Sequence, residues 1–190
     1  MKICDFRRTP RRTQGFTLVE LMVTLAILVI LLAIGVPAMQ GFLASRQVAG
    51  KADALASAIR FARSEALKRS QSVTICQTTT ADSVTPTCDA GTGDWNSGWL
   101  IFVDNNPADG SYNKDELLIK VQQALPGSGV FKVGDKKQRT INFTADGLAM
   151  GSANGFYAFS DAGCTKVTLA NTGRVFTEKL TSAKCPKQSI

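Results

Sequence analysis

The order of apolar and polar residues divides the chain into three parts, the first of which is a long apolar run. Residues 16–36 are apolar except at Thr17, Glu20, Thr24 and Gly35. At about 1.5 Å per residue, a helix over this run is roughly 31 Å long, close to the ~30 Å hydrocarbon core of a bilayer. The run therefore predicts a membrane-spanning helix.

The helical pattern continues beyond the membrane segment. Apolar or small residues recur on one face at Phe42, Val48, Ala52, Leu55, Ile59, Ala62 and Ala66. The other side carries Arg46, Lys51, Asp53, Arg60, Arg63 and Lys68. Pro37 predicts a bend, and the helix is expected to end near Arg69 and Ser70. The apolar face requires a cover, either the chain's own sheet or partner helices.

Short segments separated by Gly and Asn follow the helix; 72–77 and 116–122 alternate, and 98–103 is apolar and aromatic. They predict strands at 72–77, 98–103, 116–122, 139–144, 155–160, 166–170 and 174–179. Residues 78–93 read as a polar loop. Because such short strands do not stand alone, we predict an α+β fold: a helix over 16–70 packed on a β-rich head over 71–190.

A basic leader, residues 1–15, precedes the apolar run. It carries Lys2, Arg7, Arg8, Arg11 and Arg12 and ends at Gly15. A secretory signal is cut after its apolar stretch, whereas a cut after Gly15 leaves that stretch on the mature protein. Glu20 favours this cut, because an acidic residue in a membrane helix costs about 3 kcal/mol unless it is compensated, and a new ammonium at Phe16 lies one helical turn away. The alternative is an uncleaved single-pass anchor.

Net charge is distributed unevenly along the chain. Residues 1–15 carry +4, residues 16–70 carry +3, and residues 71–190 hold eleven basic and eleven acidic residues. Basic residues at the leader keep the N-terminal side in the cytoplasm, so the head is expected to be translocated, into the periplasm of a two-membrane bacterium.

The cysteines agree with an oxidising compartment. Once Cys4 leaves with the leader, Cys76, Cys88, Cys164 and Cys185 remain. Of the three possible pairings, sequence proximity favours Cys76 with Cys88 and Cys164 with Cys185. The alternative is a four-thiolate zinc site, which the absence of histidine and of Cys-x-x-Cys spacing disfavours. We therefore expect no metal or other cofactor.

An oxygen-rich loop in the head offers a possible calcium site. It contains Asp104, Asn106, Asp109, Asp115 and Glu116. The register departs from a calcium loop, with Ala108 at the fifth position and Gly110 one place late, so a solvated hairpin turn is the better interpretation. The chain also has no histidine, nucleophile motif or motif-placed carboxylate pair, and we do not expect an enzyme.

The C-terminal segment is basic. Residues 162–190 carry a local charge of +4 and residues 71–161 a local charge of −4. The positive charges of the segment are Lys166, Arg174, Lys179, Lys184 and Lys187. Such a patch can make sequence-independent phosphate contacts, or it can be a solvated surface or meet an acidic neighbour.

Several motifs together resemble one protein family. The leader junction GFTLVE at 15–20 resembles the class III leader of type IV pilins and pseudopilins. The segments FARSEALKR at 61–69, SVTIC at 72–76, DWNSGWLIFVDNN at 94–106 and ANTGR at 170–174 are similar to the GspH/FimT family of minor pilins and pseudopilins. Trp95, Trp99 and Phe102 within them are expected to be core aromatics.

The resemblance implies a function in filament assembly. A prepilin peptidase would cut after Gly15 and methylate Phe16, and Glu20 would pair with the terminal amine of a neighbouring subunit. The subunit would sit in the inner membrane and assemble with other pilins, in or near the tip of a type IV pilus or a type II secretion pseudopilus.

An alternative function also follows from the resemblance. FimT-type members bind DNA during uptake through a C-terminal Gly-Arg-x-Arg motif. Gly173 and Arg174 match its first half, whereas Phe176 replaces the second arginine. The residues of interest for DNA are Arg174, Lys179, Lys184 and Lys187.

Overall fold

The computed structural model describes residues 15–89, 94–105, 109–127, 130–133, 138–149, 151–152, 154–160 and 163–186. Leader residues 1–14, Asn106 and Lys187 lie outside this set. The chain divides into two compact units, Met1–Met39 and Gln40–Ile190. One helix, α1 (Leu18–Arg69), contributes residues to both units.

Both ends of α1 are capped. The Oγ1 of Thr17 accepts a hydrogen bond from the backbone N–H of Glu20 at 3.2 Å, the geometry of an N-cap. At the other end Ser70 adopts a φ of 53°, and the N–H of Gln71 donates to the carbonyl of Ala66 at 3.3 Å. The helix ends where the sequence predicts. The helix continues through Pro37. The bend predicted at this residue stays a prediction.

The helical residues of the first unit expose their apolar side chains. From Leu18 to Val36, the large apolar side chains have between 49% and 74% of their surface exposed. Among the described residues α1 is the one helix long and apolar enough to cross a membrane, with a mean hydropathy of 2.8 in its most apolar window and none of that window buried. This surface has no cover within the described chain.

The part of α1 in the second unit buries the predicted face, with two corrections. The face consists of Val48, Ala52, Leu55, Ile59, Ala62 and Ala66, all buried. Phe42, predicted to belong to it, is 56% exposed, because the core cluster of the head begins only at Val48. Lys51, predicted to lie on the side opposite the apolar face, is only 4% exposed, because its amine is bonded inside the head.

The head contains two four-stranded antiparallel sheets. The first has the order β3-β2-β1-β5, formed by β1 (Val73–Gln77), β2 (Trp99–Val103), β3 (Leu118–Gln122) and β5 (Thr140–Phe143). The second has the order β4-β6-β7-β8, formed by β4 (Val130–Val133), β6 (Asn154–Ser160), β7 (Gly163–Leu169) and β8 (Val175–Leu180). A short 3₁₀ turn, Ser182–Lys184, follows β8.

The predicted strands all occur, with small differences at their ends. The largest is at β7, which begins at Gly163 rather than at 166. Strand β4 was not predicted from the sequence. Residues 78–89 contain no strand, as expected for that loop.

One apolar core joins α1 to both sheets. It brings Leu55 and Ile59 of the helix together with Ile75 and Phe143 of the first sheet and Phe156 of the second. The rings of Trp95 and Phe156 meet edge to face with centroids 5.4 Å apart. Trp95, Trp99 and Phe102 are buried, so their prediction as core aromatics is confirmed.

Two disulfides close segments of the head. Cys76 is bonded to Cys88, and Cys164 to Cys185, with Cα atoms 5.6 Å and 6.0 Å apart. These are the pairs that sequence proximity favours. By the chain-entropy estimate each loop contributes roughly 3 kcal/mol to stability.

Candidate functional site

The N-terminal segment is a short non-helical stretch followed at once by a helix. Gly15, Phe16 and Thr17 precede α1, and the Phe16 side chain is 80% exposed. Glu20 lies in the first helical turn, where the partial positive charge of the helix N-terminus favours a carboxylate. The peptide bond after Gly15 is thus accessible, and a carboxylate stands one turn from it.

A buried lysine holds two loops of the head against α1. The Nζ of Lys51 donates to Oδ1 of Asn96 at 3.1 Å and to the carbonyl of Gly127 at 3.0 Å. Burial lowers the pKa of the Lys51 ammonium, and the carboxylate of Asp94 opposes this shift. Because its donors are already bonded to protein groups, Lys51 serves the structure of the head rather than a ligand.

The oxygen-rich loop contains both exposed and buried carboxylates. In the turn predicted to be solvated, residues 105–110, Asn105 and Asp109 are exposed, and residues 106–108 lie outside the described set. Asp104 and Glu116 flank this turn and are buried, because they are hydrogen-bonded within the head. Thr74 donates to Asp104 at 2.9 Å, and Glu116 accepts the backbone N–H of Asn113 at 2.8 Å. Within the described residues, no group of three or more acidic, Cys or His side chains is placed to hold a metal ion.

Two of the basic residues proposed for DNA, Arg174 and Lys179, lie against different parts of α1. Arg174, Lys179 and Lys184 are all exposed. However, the Nζ of Lys179 donates to the hydroxyl of Ser45 at 3.3 Å, near the start of the second unit's helical part. Arg174 lies in the turn before β8 and lines a groove with Arg63 of α1. Along the helix axis, Arg63 is roughly 27 Å from Ser45.

Arg174 lies instead beside two arginines of α1. An open groove of about 480 Å³ is lined by Arg60, Arg63, Ser64 and Leu67 of α1 and by residues 173–176. We call it the arginine groove. The guanidinium carbon of Arg174 lies 5.5 Å from the ring centroid of Phe176. Among the described residues no carboxylate lies within 4.0 Å of the groove arginines, whereas Glu65 nearby pairs with Lys68 and Arg69.

The sequence pattern does not single out Arg60 and Arg63 as a binding site, because it places them among the other charged residues on the polar side of α1. The one local sign that they act together is their spacing of three residues, which puts them on one helix face. Their proximity to Arg174 depends on the fold, because Arg174 is far away in the sequence.

Comparison with known families decides the relationship. The profile described as Type II transport protein GspH matches residues 51–173. This match covers more than half of the chain. The chain belongs to the GspH family. A second profile, the Prokaryotic N-terminal methylation motif, matches residues 10–36 and so includes Gly15, Phe16 and Glu20. The comparison with curated proteins gave no match.

Solved structures show the same fold. The P21 crystal form of the type IV minor pilin FimU from Pseudomonas aeruginosa is 19% identical, with a TM-score of 0.56, and the match covers 77% of this chain and 97% of FimU. The P65 form of the same protein is 20% identical, with a TM-score of 0.52 and coverage of 73% and 96%. At these identities the similarity concerns the fold alone.

The GspH-family chain is therefore a pseudopilin that carries the N-terminal methylation motif. The family is structural and not enzymatic. Membership implies assembly with other pilins and processing by a prepilin peptidase, and the methylation motif with its apolar helix is consistent with a prepilin anchored in the inner membrane. The GspH match contains Arg60 and Arg63 and ends immediately before Arg174.

Proposed function

We propose that a prepilin peptidase cuts this GspH-family chain after Gly15 and that Phe16 becomes the methylated N-terminus. The methylation motif and the exposed, non-helical position of residues 15–17 support this cut. The segment 16–36 then anchors the subunit as a single span of the inner membrane, and the head of residues 71–190 lies in the periplasm. Two disulfides fit that oxidising compartment.

We further propose that the subunit assembles with other pilins in or near the tip of a type IV pilus or a secretion pseudopilus. The observation that carries this proposal is the apolar surface of Leu18–Val36, exposed along its whole length, with the Glu20 carboxylate in its first turn. Neighbouring helices can cover the apolar surface, and the terminal ammonium of a neighbouring subunit can compensate Glu20.

Glu20→Ala tests the assembly role in cells that carry the machinery. We expect the variant to be cut and methylated, to accumulate in the membrane and to be lost from sheared filaments. Thr24→Ala is the control in the same segment, because among the described residues the Thr24 hydroxyl donates to the Leu21 carbonyl of its own helix, at 2.9 Å, and to no other group. Incorporation of Glu20→Ala at the wild-type level would contradict the proposal. A deletion strain distinguishes the two machines: loss of surface pili indicates a type IV pilus, and loss of protein secretion indicates a type II secretion system.

A second candidate function is nucleic-acid binding by the head. The arginine groove supports it, because three guanidinium groups share one surface without a carboxylate partner among the described residues. In mobility-shift titrations, binding should be weak, independent of sequence and strongly reduced by salt. Arg174→Ala with Lys179→Ala should weaken it, whereas Lys114→Ala with Lys120→Ala should have little effect. An unshifted duplex at low salt and high protein concentration would leave the chain a filament component only.

A further inference from the structure

We propose that the arginine groove is a binding site for a nucleotide unit, either in a single strand or free. The phosphate would lie between the guanidinium groups of Arg60 and Arg174, and the base would lie against Phe176 and Leu67. The proposal rests on the second candidate function, nucleic-acid binding, and specifies its site and its preferred ligand.

The charge of the groove favours an anion. Arg60 and Arg174 are exposed, and Arg63 is held in place because its Nε donates to the carbonyl of Gly147 at 3.0 Å. Among the described residues, Glu65 is the carboxylate nearest in sequence to Arg60 and Arg63 that forms ion pairs, and its partners are Lys68 and Arg69. The groove arginines therefore have no carboxylate partner within the described residues. Guanidinium groups bind phosphate oxygens in a planar, two-bond geometry, so a phosphate fits this cluster.

The apolar part of the groove favours a base beside the phosphate. Phe176 has 51% and Leu67 has 49% of its surface exposed, although both are large and apolar. The Arg174 guanidinium lies over one face of the Phe176 ring, which is half exposed, so a base would stack on the other face. Bases stack on such faces with little sequence preference, and the groove volume of about 480 Å³ is in the range of small-ligand sites.

These two features together favour a nucleotide over an acidic protein segment. A segment rich in carboxylates would use the guanidinium groups but would leave the exposed phenylalanine without a partner. In a duplex the bases are stacked inside, so the phenylalanine would reach them only in a single strand. The groove should therefore prefer single strands to duplexes.

Fluorescence anisotropy with a labelled oligothymidine of about 12 nucleotides tests the proposal on the full-length chain in detergent. We expect Arg60→Ala with Arg174→Ala to weaken binding by roughly tenfold or more, and Phe176→Ala to weaken it severalfold. Phe176→Tyr should bind like the wild type. These side chains are exposed, and unchanged thermal midpoints will show that the variants fold.

Matched controls exist on the same helix and the same tail. Arg46 lies 4.9 Å from the centroid of the exposed Phe42, outside the groove, so Arg46→Ala and Phe42→Ala should leave affinity unchanged. Lys179→Ala with Lys184→Ala should reduce it by no more than about twofold. Thymidine monophosphate serves as a competitor of the labelled oligothymidine. If it competes as well as the unlabelled strand, the groove binds free nucleotides, and if it does not compete, the groove binds single strands.

Three results would overturn the proposal in different ways. Unchanged affinity in Phe176→Ala, or equal competition by polyglutamate, would reassign the groove to an acidic partner segment. If duplex DNA binds and its affinity depends on Lys179 and Lys184 but not on Arg60, the groove proposal is wrong and the second candidate function, nucleic-acid binding, stands. Failure to bind either DNA form at low salt would remove the groove proposal and the second candidate function together.

Discussion

The Nε of Arg63 donates a hydrogen bond to the carbonyl oxygen of Gly147, 3.0 Å away and 84 residues further along the chain. Gly173 packs against both groups: it has a φ of 74°, and a Cβ at this position would overlap the Gly147 carbonyl oxygen and the Arg63 side chain. The bond therefore ties α1 to the turn after β5, and Gly173, in the turn before β8, packs on both partners. Arg63 and Gly173 also line the arginine groove.

Gly173→Ala should destabilise the head by about 2 to 4 kcal/mol, because it combines an unfavourable φ with an overlap of atoms. Gly151→Ala is the matched control. Gly151 has a φ of 77°, but a Cβ added there would meet no atom within 4 Å, so only the conformational cost of about 1 kcal/mol should remain. Urea unfolding followed by circular dichroism measures both. Equal losses would show that the overlap is relieved elsewhere.

Arg63→Ala should lower the free energy of unfolding by about 1 kcal/mol, because the Gly147 carbonyl loses its donor. Arg60→Ala should change it by less than about 0.5 kcal/mol, since Arg60 is exposed and has no hydrogen bond or ion pair among the described residues. Thermal unfolding of the two variants provides the comparison. An equal effect of both would contradict the anchoring role of Arg63.

Asp104 predicts a pH dependence of stability. Burial raises the pKa of this carboxyl above its usual value of 3.8, the Thr74 hydrogen bond opposes the shift, and the carboxylates of Glu116 and Asp109 reinforce it. The folded state therefore binds the proton more tightly than the unfolded state. This contribution to stability is fully present below pH 3.8 and is lost as pH rises through the raised pKa.

Asp104→Asn should remove that dependence, because an amide keeps the acceptor for Thr74 and carries no charge. The variant should be more stable than the wild type at neutral pH, with the difference shrinking on acidification. Urea unfolding across this pH range measures it. Thr74→Val is a useful comparison, since it deletes the donor at 2.9 Å and should destabilise the ionised carboxylate. Parallel pH curves of Asp104→Asn and the wild type would refute the assignment.

Removal of the second disulfide should loosen the C-terminal segment first. Cys164→Ser with Cys185→Ser opens the link between β7 and the end of the chain, and we expect a loss of about 2 to 5 kcal/mol. Hydrogen exchange should then accelerate in β8, whereas β1, next to the bond between Cys76 and Cys88, should change little. Uniform acceleration over both sheets would contradict this order.

Processing after Gly15 can be tested by intact mass. The mature protein should begin at methylated Phe16, and a mass that includes residues 2–15 would contradict both the cut and the assembly proposal. Gly15→Ala should be processed because the residue stays small, whereas Gly15→Leu should accumulate uncut. Both variants should still enter the membrane, because the apolar run is unchanged.

The sequence predicted the fold well where the pattern is local. The period of α1 and the composition of the seven predicted strands, with the Gly and Asn residues between them, can be read from neighbouring residues. Strand β4 was missed because Val130–Val133 is a four-residue segment with Lys132 inside it. The burial of Lys51 was missed for another reason: its acceptors, at Asn96 and Gly127, come from loops far away in the chain.

The candidate site shows the same limit. The leader junction and Glu20 form a contiguous motif, so the sequence alone indicates them. The basic tail looked like one patch because its residues are close in sequence, but Arg174, in the turn before β8, and Lys179, near the end of β8, lie against different parts of α1. Conversely, Arg60 and Arg174 meet only because β7 and β8 pack against the helix, which no local pattern encodes.

The exposed apolar length of α1 has a thermodynamic consequence for the route between membrane and filament. In the bilayer this surface already lies in hydrocarbon, and in a bundle of pilin helices it would lie against other apolar side chains. Transfer from one to the other therefore changes hydrophobic solvation very little. The direction of transfer must then be decided by packing and by the few polar groups on the helix, so the partner that Glu20 finds in each setting would determine whether a subunit is added or withdrawn.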